Sequence, residues 1–258
     1  MVYSPYDFNE ANRHRVDFVE GKLREGSPVV GISFDGGLLL LTVRKTQRKI
    51  FEIYDRILFS ALGQQADIEA IRVAAIDVAH REGFERSPDD VTAQRLVGFA
   101  LSPPLKRVFG DVMSSPAVIR GLFGELGDTP EKDAFFLLNY DGEFQQMNGF
   151  AVVAGSAAAE DKMSLWLVGL DEKTTFENAV LLGFKAWAAG SMSSTDASPD
   201  EDADAPAEFS EEQVLKHLRE SLKSGTAEIG VLDRFTSRES RFRLLGDKEV
   251  AGLIKGLK

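Results

Sequence analysis

The sequence predicts an α+β fold, a four-layer αββα sandwich in which two sheets pack face to face between helical layers. The first strand signals are two successive hairpin patterns between residues 26 and 63. Two helical stretches, further strands and two more helices follow in that order, which is typical of sheets enclosed by helices. Because these signals continue along the chain with one linker near the C-terminus, we expect residues 1–258 to form a single domain.

A helix is predicted before the first strand. Val16, Val19 and Leu23 are spaced among charged residues, and Gly26 follows them as a stop signal. The pattern predicts a weakly amphipathic helix over residues 9–25. A charged helix face is ordinarily solvated, and the residues alone favour that interpretation of its polar side.

Two hairpins follow in the stretch GSPVVGISFDGGLLLLTVRKTQRKIFEIYDRILFSALG, residues 26–63. Asp35-Gly36-Gly37 supplies the positive-φ positions of a tight loop between the apolar runs PVVGISF and LLLLTV. The second pair has period-two alternation over residues 49–53, a polar corner at 54–56 and an apolar run over 57–62. The beginning of a buried sheet is therefore predicted.

The rest of the chain alternates between helix and strand patterns. Small apolar residues at helical spacing predict a helix over residues 68–82. Ser87-Pro88-Asp89-Asp90 has the composition of an N-terminal cap, and Pro103-Pro104 predicts a kink or a break in the second helix. The remaining predictions are strands at 117–126, 133–140, 143–147 and 149–155, helices at 157–170, 175–189 and 208–222, a hairpin of 227–232 with 240–245, and a terminal helix at 248–257.

One segment differs in composition from the rest. Residues 191–207 read SMSSTDASPDEDADAPA, which is acidic, rich in Ser, Pro and Ala, and poor in residues that a core can bury. Such composition favours a mobile or disordered insert.

Charge and residue counts exclude several kinds of site. The net charge of −11 argues against nucleic-acid binding, because phosphate recognition needs a dense basic surface. The chain has no cysteine, so disulfides, thiolate metal sites and a cysteine nucleophile are excluded. With only three histidines, a histidine-rich metal site is not expected, and no cofactor is predicted.

The N-terminal sequence and the apolar runs bear on location. MVYSPYDFNEANRHR lacks the basic start and apolar core of a secretory signal. The longest apolar run, residues 36–43, is far below membrane-spanning length. We therefore expect a cytoplasmic protein with no membrane segment.

The succession VVGISFDGGLLLLTVRK, RKIFEIYDRILFSALG and a long helix resembles the α-type subunits of the 20S proteasome, especially those of bacteria. The helix before the first strand agrees, because β-type subunits begin directly at their catalytic threonine. The likeness extends from about Tyr6 to the last helix and weakens at the acidic insert. It implies the fold of the N-terminal-nucleophile hydrolases.

This resemblance implies a role and a set of partners. An α-type subunit is a non-catalytic member of a threonine-type endopeptidase complex. It forms a heptameric ring with copies of itself, stacks on a ring of β-type subunits, and docks the C-terminal tails of an ATPase unfoldase. The segment before its helix lies over the axial pore. Here that gate corresponds to residues 1–8, and a frayed terminus is the alternative. The gate residues are Val2, Tyr3, Ser4, Pro5, Tyr6, Asp7 and Phe8.

Catalysis in the family needs a free N-terminal threonine, a lysine and an aspartate. Matching by the strand pattern places Ser27, Lys49 and Val43 at those positions. Ser27 follows 26 residues, so its amine is an amide and cannot act as a base. We therefore expect no catalytic residue. The alternative is a self-processing peptidase or amidohydrolase of this superfamily with Ser27 as nucleophile, since Gly26 before Ser27 resembles a processing junction.

The resemblance also implies binding residues. The family's equivalent of Lys49 lines a pocket between subunits and pairs with the carboxylate of the activator's tail, and Gly63 with Gln64 beside it corresponds to the place where the tail's backbone approaches. From sequence alone, a lysine at the start of a strand is usually just solvated. The N-terminal helix contacts ring neighbours in the family, which implicates its polar face. The ring-interface residues we expect are Arg15, Asp17 and Phe18.

Overall fold

Two antiparallel five-stranded sheets form the centre of the fold. The computed structural model describes residues 5–171, 173–195, 209–238 and 240–257. The first sheet contains β1 (Val29–Phe34), β2 (Gly37–Arg44), β8 (Phe150–Val153), β9 (Thr226–Asp233) and β10 (Phe242–Leu244), in the order β10-β9-β2-β1-β8. The second contains β3 (Ile50–Tyr54), β4 (Ile57–Gly63), β5 (Ile119–Glu125), β6 (Ala134–Leu138) and β7 (Phe144–Met147), in numerical order.

Helices cover the outer face of each sheet. The α-helices are α1 (Pro5–Leu23), α2 (Gln65–Glu85), α3 (Ala93–Arg95), α4 (Ser102–Gly110), α5 (Ala157–Leu165), α6 (Phe176–Thr195), α7 (Glu211–Ser224) and α8 (Asp247–Leu253). Short 3-10 helices lie at Pro88–Asp90, Pro130–Lys132 and Ile254–Leu257, and a π-helix at Leu96–Leu101. Helices α5 to α8 contribute core residues to the first sheet's outer face, and α2 with the α3–α4 segment to that of the second.

The strand β2 shows why the sandwich has three apolar layers. Its leucines alternate, so that Leu39 and Leu41 join the core beneath the helices while Leu38 and Leu40 join the core between the sheets. Both faces of the strand are therefore buried, which accounts for its continuous apolar run. The predicted four-layer αββα sandwich is confirmed.

The hairpin between β1 and β2 has the shorter of the two predicted loop lengths, two residues rather than three. Phe34 pairs directly with Gly37, which leaves Asp35 and Gly36 as the loop. Gly37 has a φ of +152°, and a Cβ there would lie 2.0 Å from the carbonyl oxygen of Leu232 on β9. Glycine is required because the neighbouring strand approaches the backbone at this point.

Helix α1 closes one end of the space between the sheets. Val19 and Leu23 are fully or almost fully buried there and pack in the same cluster as Val29 and Leu62. The helix begins at Pro5 rather than at residue 9 and ends at Leu23 rather than at residue 25. Its apolar face is thus held by the core of the sandwich.

The second helical region begins later than predicted. Ser87 does accept a hydrogen bond from the Asp89 amide, but it caps only the short 3-10 turn. The helix proper starts after Thr92, whose hydroxyl accepts from the amide of Arg95. Pro103-Pro104 does not break it, since the π-helical stretch Leu96–Leu101 runs directly into α4, whose first turn contains the two prolines.

The ends of α5 and α6 also differ from the sequence prediction. Helix α5 ends at Leu165 instead of residue 170. Helix α6 continues past residue 189 to Thr195, so residues 191–195 of the acidic stretch are helical. Residues 196–207, the rest of the stretch predicted to be mobile, lie outside the described residues. Within the described ranges, every helix is too short or too polar to span a membrane.

Candidate functional site

A cleft of about 570 Å³ opens where β1 begins and β2 ends. Its walls come from the residues before β1, the connection between β2 and β3, the end of β4, and parts of α2, α6 and α7. Four positions singled out in the sequence, Ser27, Val43, Lys49 and Gly63, line it together. Gln64 is not part of the lining, although its neighbour Gln65 is.

The hydroxyl of Ser27 is already hydrogen-bonded within the chain. Its Oγ donates to the carbonyl oxygen of Val43 at 2.6 Å and accepts from the indole Nε1–H of Trp187 at 3.1 Å. The hydroxyl of Thr42 lies 3.3 Å away and donates instead to the carbonyl oxygen of Pro28. These contacts fix Ser27 at the head of β1, and position 43 supplies a backbone carbonyl rather than a carboxylate.

Lys49 points into the same corner of the cleft. Its Nζ donates to the carbonyl oxygen of Ser27 at 2.7 Å. Although the residue as a whole is half-buried, desolvation of the ammonium lowers the pKa of Lys49 to about 8, and the nearby charge of Glu228 partly opposes this shift. Among the described residues, no carboxylate is within ion-pair distance of this ammonium. An ammonium has three donors, so further hydrogen-bonding capacity remains on Nζ.

Glu228 on β9 holds the strand start that carries Lys49, and sequence analysis missed it. Its carboxylate accepts from the backbone amides of Lys49 at 3.2 Å and Ile50 at 2.9 Å, and pairs with Nε of Arg44 at 3.0 Å. Glu228 is only 4% exposed. The available signal was an acidic residue between apolar neighbours, Ala227 and Ile229, within the strand TAEIGVLD.

Gly63 is required by the fold itself. It has a φ of +141°, and a Cβ there would lie 2.0 Å from the carbonyl oxygen of Val118. The amide of Gln64 donates to the same carbonyl at 2.8 Å. The absence of a side chain at Gly63 therefore allows close approach of the segment before β5, and this structural role does not depend on a ligand in the cleft.

The other sequence-predicted residues lie on α1. Arg15 donates to the carbonyl oxygens of Ser114 at 2.6 Å and Val108 at 2.9 Å, and its guanidinium lies over the ring of Phe109. It thus ties α1 to the end of α4 and the following loop. Asp17 and Phe18 are exposed, Phe18 by 49%.

The predicted gate is divided by the start of α1. Residues 5–8 form the beginning of α1. Val2, Tyr3 and Ser4 lie outside the described residues.

The described part of the chain also contains no group of three His, Asp or Glu side chains arranged to hold a metal ion.

A search against protein-family models gives no match. Several relatives from bacteria are named "Proteasome subunit alpha". The protein from Xylanimonas cellulosilytica is 35% identical over 244 residues, covering 91% of this chain and 88% of the relative. The one from Nocardioides sp. is 30% identical, with 80% and 78% covered, and the one from Kineococcus radiotolerans is 29% identical, with 95% and 94% covered. Together with the αββα sandwich and its N-terminal helix, these similarities establish that the chain belongs to the family of bacterial-type proteasome α subunits.

Proposed function

We propose that this chain is a non-catalytic subunit of the α ring of a 20S proteasome, where it gates substrate entry and docks an ATPase activator for ATP-dependent protein degradation. The observation that carries the docking proposal is the desolvated ammonium of Lys49 at the cleft, with no carboxylate partner among the described residues. The proposed partners are further copies of this chain in a heptameric ring, β-type subunits, and the ATPase ring.

A C-terminal carboxylate fits the Lys49 corner. The attraction between an ammonium and a carboxylate grows as the pair leaves water, and terminal carboxylates are commonly recognised in such sites. The bond to Ser27 fixes the direction of the Lys49 side chain, while Glu228 fixes the backbone behind it. A bound carboxylate would supply the counter-charge that the buried ammonium lacks.

The state of Ser27 supports a non-catalytic role. Its amine is part of a peptide bond, and its hydroxyl proton is directed to the carbonyl of Val43 rather than to a base. Lys49 contacts the Ser27 carbonyl, not its hydroxyl. Nucleophilic catalysis needs a base within hydrogen-bond reach of the nucleophile, and this arrangement does not supply one.

The surfaces of α1 support the ring and gate proposals. Arg15 makes α1 part of the body of the chain, which leaves Asp17 and Phe18 facing outward for a neighbouring subunit. Since α1 starts at Pro5, the proposed gate is a lead-in of residues 2–4 joined to the first turn of the helix at residues 5–8.

The docking proposal is tested with Lys49→Ala in particles reconstituted with the β-type subunit. We expect normal assembly by electron microscopy, normal basal peptide hydrolysis, and loss of activator-stimulated protein degradation. Lys106→Ala, an exposed lysine on α4 outside the cleft, is the matched control and keeps stimulation. Unchanged stimulation in Lys49→Ala would remove the docking assignment.

The alternative function is a self-processing hydrolase with Ser27 as nucleophile. The observation in its favour is that Lys49 Nζ lies 2.7 Å from the carbonyl oxygen of Ser27, which is the residue that would act as nucleophile. The intact mass of the purified chain decides between the two functions. Loss of residues 1–26 together with peptidase activity of the chain alone would establish the hydrolase.

A further inference from the structure

Basic residues are concentrated around the cleft of an acidic chain. The net charge is −11, yet the cleft is lined by five cationic side chains and one carboxylate. The cationic residues are Arg24, Arg44, Lys45, Arg48 and Lys49, and the carboxylate belongs to Glu25.

Two of these cations have roles within the chain. Arg44 pairs with Glu228. Arg48 donates to the carbonyl oxygen of Ile50 at 2.7 Å, and its guanidinium lies over the rings of Phe51 and Phe242. Both side chains are therefore held in place by the strands that they contact.

Lys45 and Arg24 differ from those two. Both are exposed, and within the described ranges neither forms an ion pair with a carboxylate. Lys45 lies on the same connection as Lys49, while Arg24 follows the last residue of α1. The cleft thus has one buried ammonium at Lys49 and exposed positive charge from two separate segments of the chain.

Such a cleft favours anionic ligands. Walls that carry one sign of charge focus the field and raise the local concentration of oppositely charged groups. Its volume of about 570 Å³ lies within the ordinary range for a small ligand, about 300–1,000 Å³, and therefore suits the end of a peptide.

From this charge distribution we infer that the cleft selects C-terminal peptides that carry an acidic side chain shortly before the terminal carboxylate. Lys49 receives the terminal carboxylate, and Lys45 with Arg24 attracts the acidic side chain. This inference rests on the proposed docking function and names the chemical class of tail that the site prefers.

The test is peptide binding to particles of the full-length chain reconstituted with the β-type subunit, measured by fluorescence anisotropy at low salt. Three labelled peptides of equal length are compared: one with a neutral sequence and a free carboxylate, one with a single Glu near the free carboxylate, and the neutral sequence with a C-terminal amide. We expect the acidic peptide to bind roughly three- to fivefold more tightly than the neutral one, with the difference shrinking as salt is added.

Variants distinguish the contribution of Lys45 and Arg24 from that of Lys49. In Lys45→Gln combined with Arg24→Gln, the acidic peptide should bind no more tightly than the neutral one, and both free carboxylates should still bind more tightly than the amide. Arg81→Gln, an exposed arginine near the far end of α2, should keep the preference. In Lys49→Ala, the neutral peptide with a free carboxylate should bind as weakly as its amide.

The outcomes are distinguishable. If wild-type protein binds the acidic and neutral peptides equally, or if the double variant keeps the preference, the inference about acidic tails is wrong while docking through Lys49 stands. If the amide binds wild-type protein as tightly as the free carboxylate, the docking proposal fails, and the inference fails with it.

Discussion

Lys49 Nζ donates to the carbonyl oxygen of Ser27 at 2.7 Å, while the Ser27 hydroxyl donates elsewhere, to Val43 at 2.6 Å. A lysine that activated this serine would need to contact its hydroxyl or a free amine. Here the lysine instead supports the backbone at the head of β1 and keeps donors available to the cleft. In the proposed docking function, the same contact leaves the ammonium of Lys49 able to receive a carboxylate.

The first prediction concerns the pH dependence of tail binding. Because the pKa of Lys49 is lowered to about 8, the free chain loses this positive charge as the pH rises through 8. The affinity for a free C-terminal carboxylate should therefore fall roughly tenfold between pH 7 and pH 9. Titrations of the neutral peptide at both pH values check this, with the amidated peptide as control. An affinity unchanged at pH 9 would indicate an ordinary, solvated lysine.

The lowered pKa of Lys49 also makes the free energy of unfolding increase with pH above 8. Between pH 8 and the ordinary lysine value of 10.5, the unfolded chain binds more protons at this site than the folded chain. Lys49 therefore disfavours folding below pH 8, and the penalty disappears as the pH rises towards 10.5. Lys49→Met should be more stable than wild type at pH 7, and the difference should shrink at higher pH, as measured by urea unfolding.

A second prediction concerns Glu228→Gln. The change weakens the acceptor for two backbone amides and leaves Arg44 without its carboxylate partner, so the free energy of unfolding should fall by about 2–4 kcal/mol. Because the charge of Glu228 raises the pKa of Lys49, the pH at which tail binding is lost should also move down.

Chemical denaturation and peptide titration over pH measure the two effects of Glu228→Gln separately. Glu52→Gln, on β3 and outside the cleft, is the matched control. If the pH midpoint of binding is the same in wild type and Glu228→Gln, Glu228 acts on the stability of the strand alone and not on Lys49.

A third prediction concerns the gate. Deletion of residues 2–8 should raise basal peptide hydrolysis of an assembled particle, because it removes both the proposed lead-in and the first turn of α1. Deletion of residues 2–4 alone leaves the described helix whole and separates the two contributions. The readout is hydrolysis of a short fluorogenic peptide without activator. Equal rates in wild type and both deletions would leave the segment without a gating role.

The fourth prediction concerns a buried ion pair, Asp133 with Arg234, that is not part of the cleft lining. Asp133, only 1% exposed, accepts from the hydroxyl of Ser33 and the amide of Gly127, and pairs with Nη2 of Arg234 at 2.7 Å. Asp133→Asn leaves the buried guanidinium uncompensated and should cost about 3–5 kcal/mol. Thermal unfolding measures the loss, and Asp128→Asn, at an exposed residue nearby, should change little. A small effect at Asp133 would mean that water reaches Arg234.

Much of the fold was predictable because its signals are local. The period-two alternation of β3, the glycine-rich loop before β2 and the apolar runs of β4 and β6 each specify an element from a few neighbouring residues. The boundaries were less predictable. Helix α1 starts early and α6 ends late, and both are held by packing against the sheets, which residue spacing does not encode.

The candidate site was predictable only in part. Ser27, Lys49 and Gly63 were identified from the resemblance to proteasome α-type subunits, aligned by the strand pattern, and the structure brings them to one cleft. Glu228 was missed, because the chain must fold before β9 can place its carboxylate beside the amide of Lys49. The role of Gly63 in strand contact was missed for the same reason.

By itself, the sequence determined the order of strands and helices and the amide at Ser27, since these depend on residue type and spacing along the chain. Only the tertiary structure decided that the Lys49 ammonium is desolvated, that its backbone is held by Glu228, and that several cations share one cleft. The physical reason is that burial and charge proximity arise from contacts between residues distant in the chain, and the pKa of a side chain depends on those contacts.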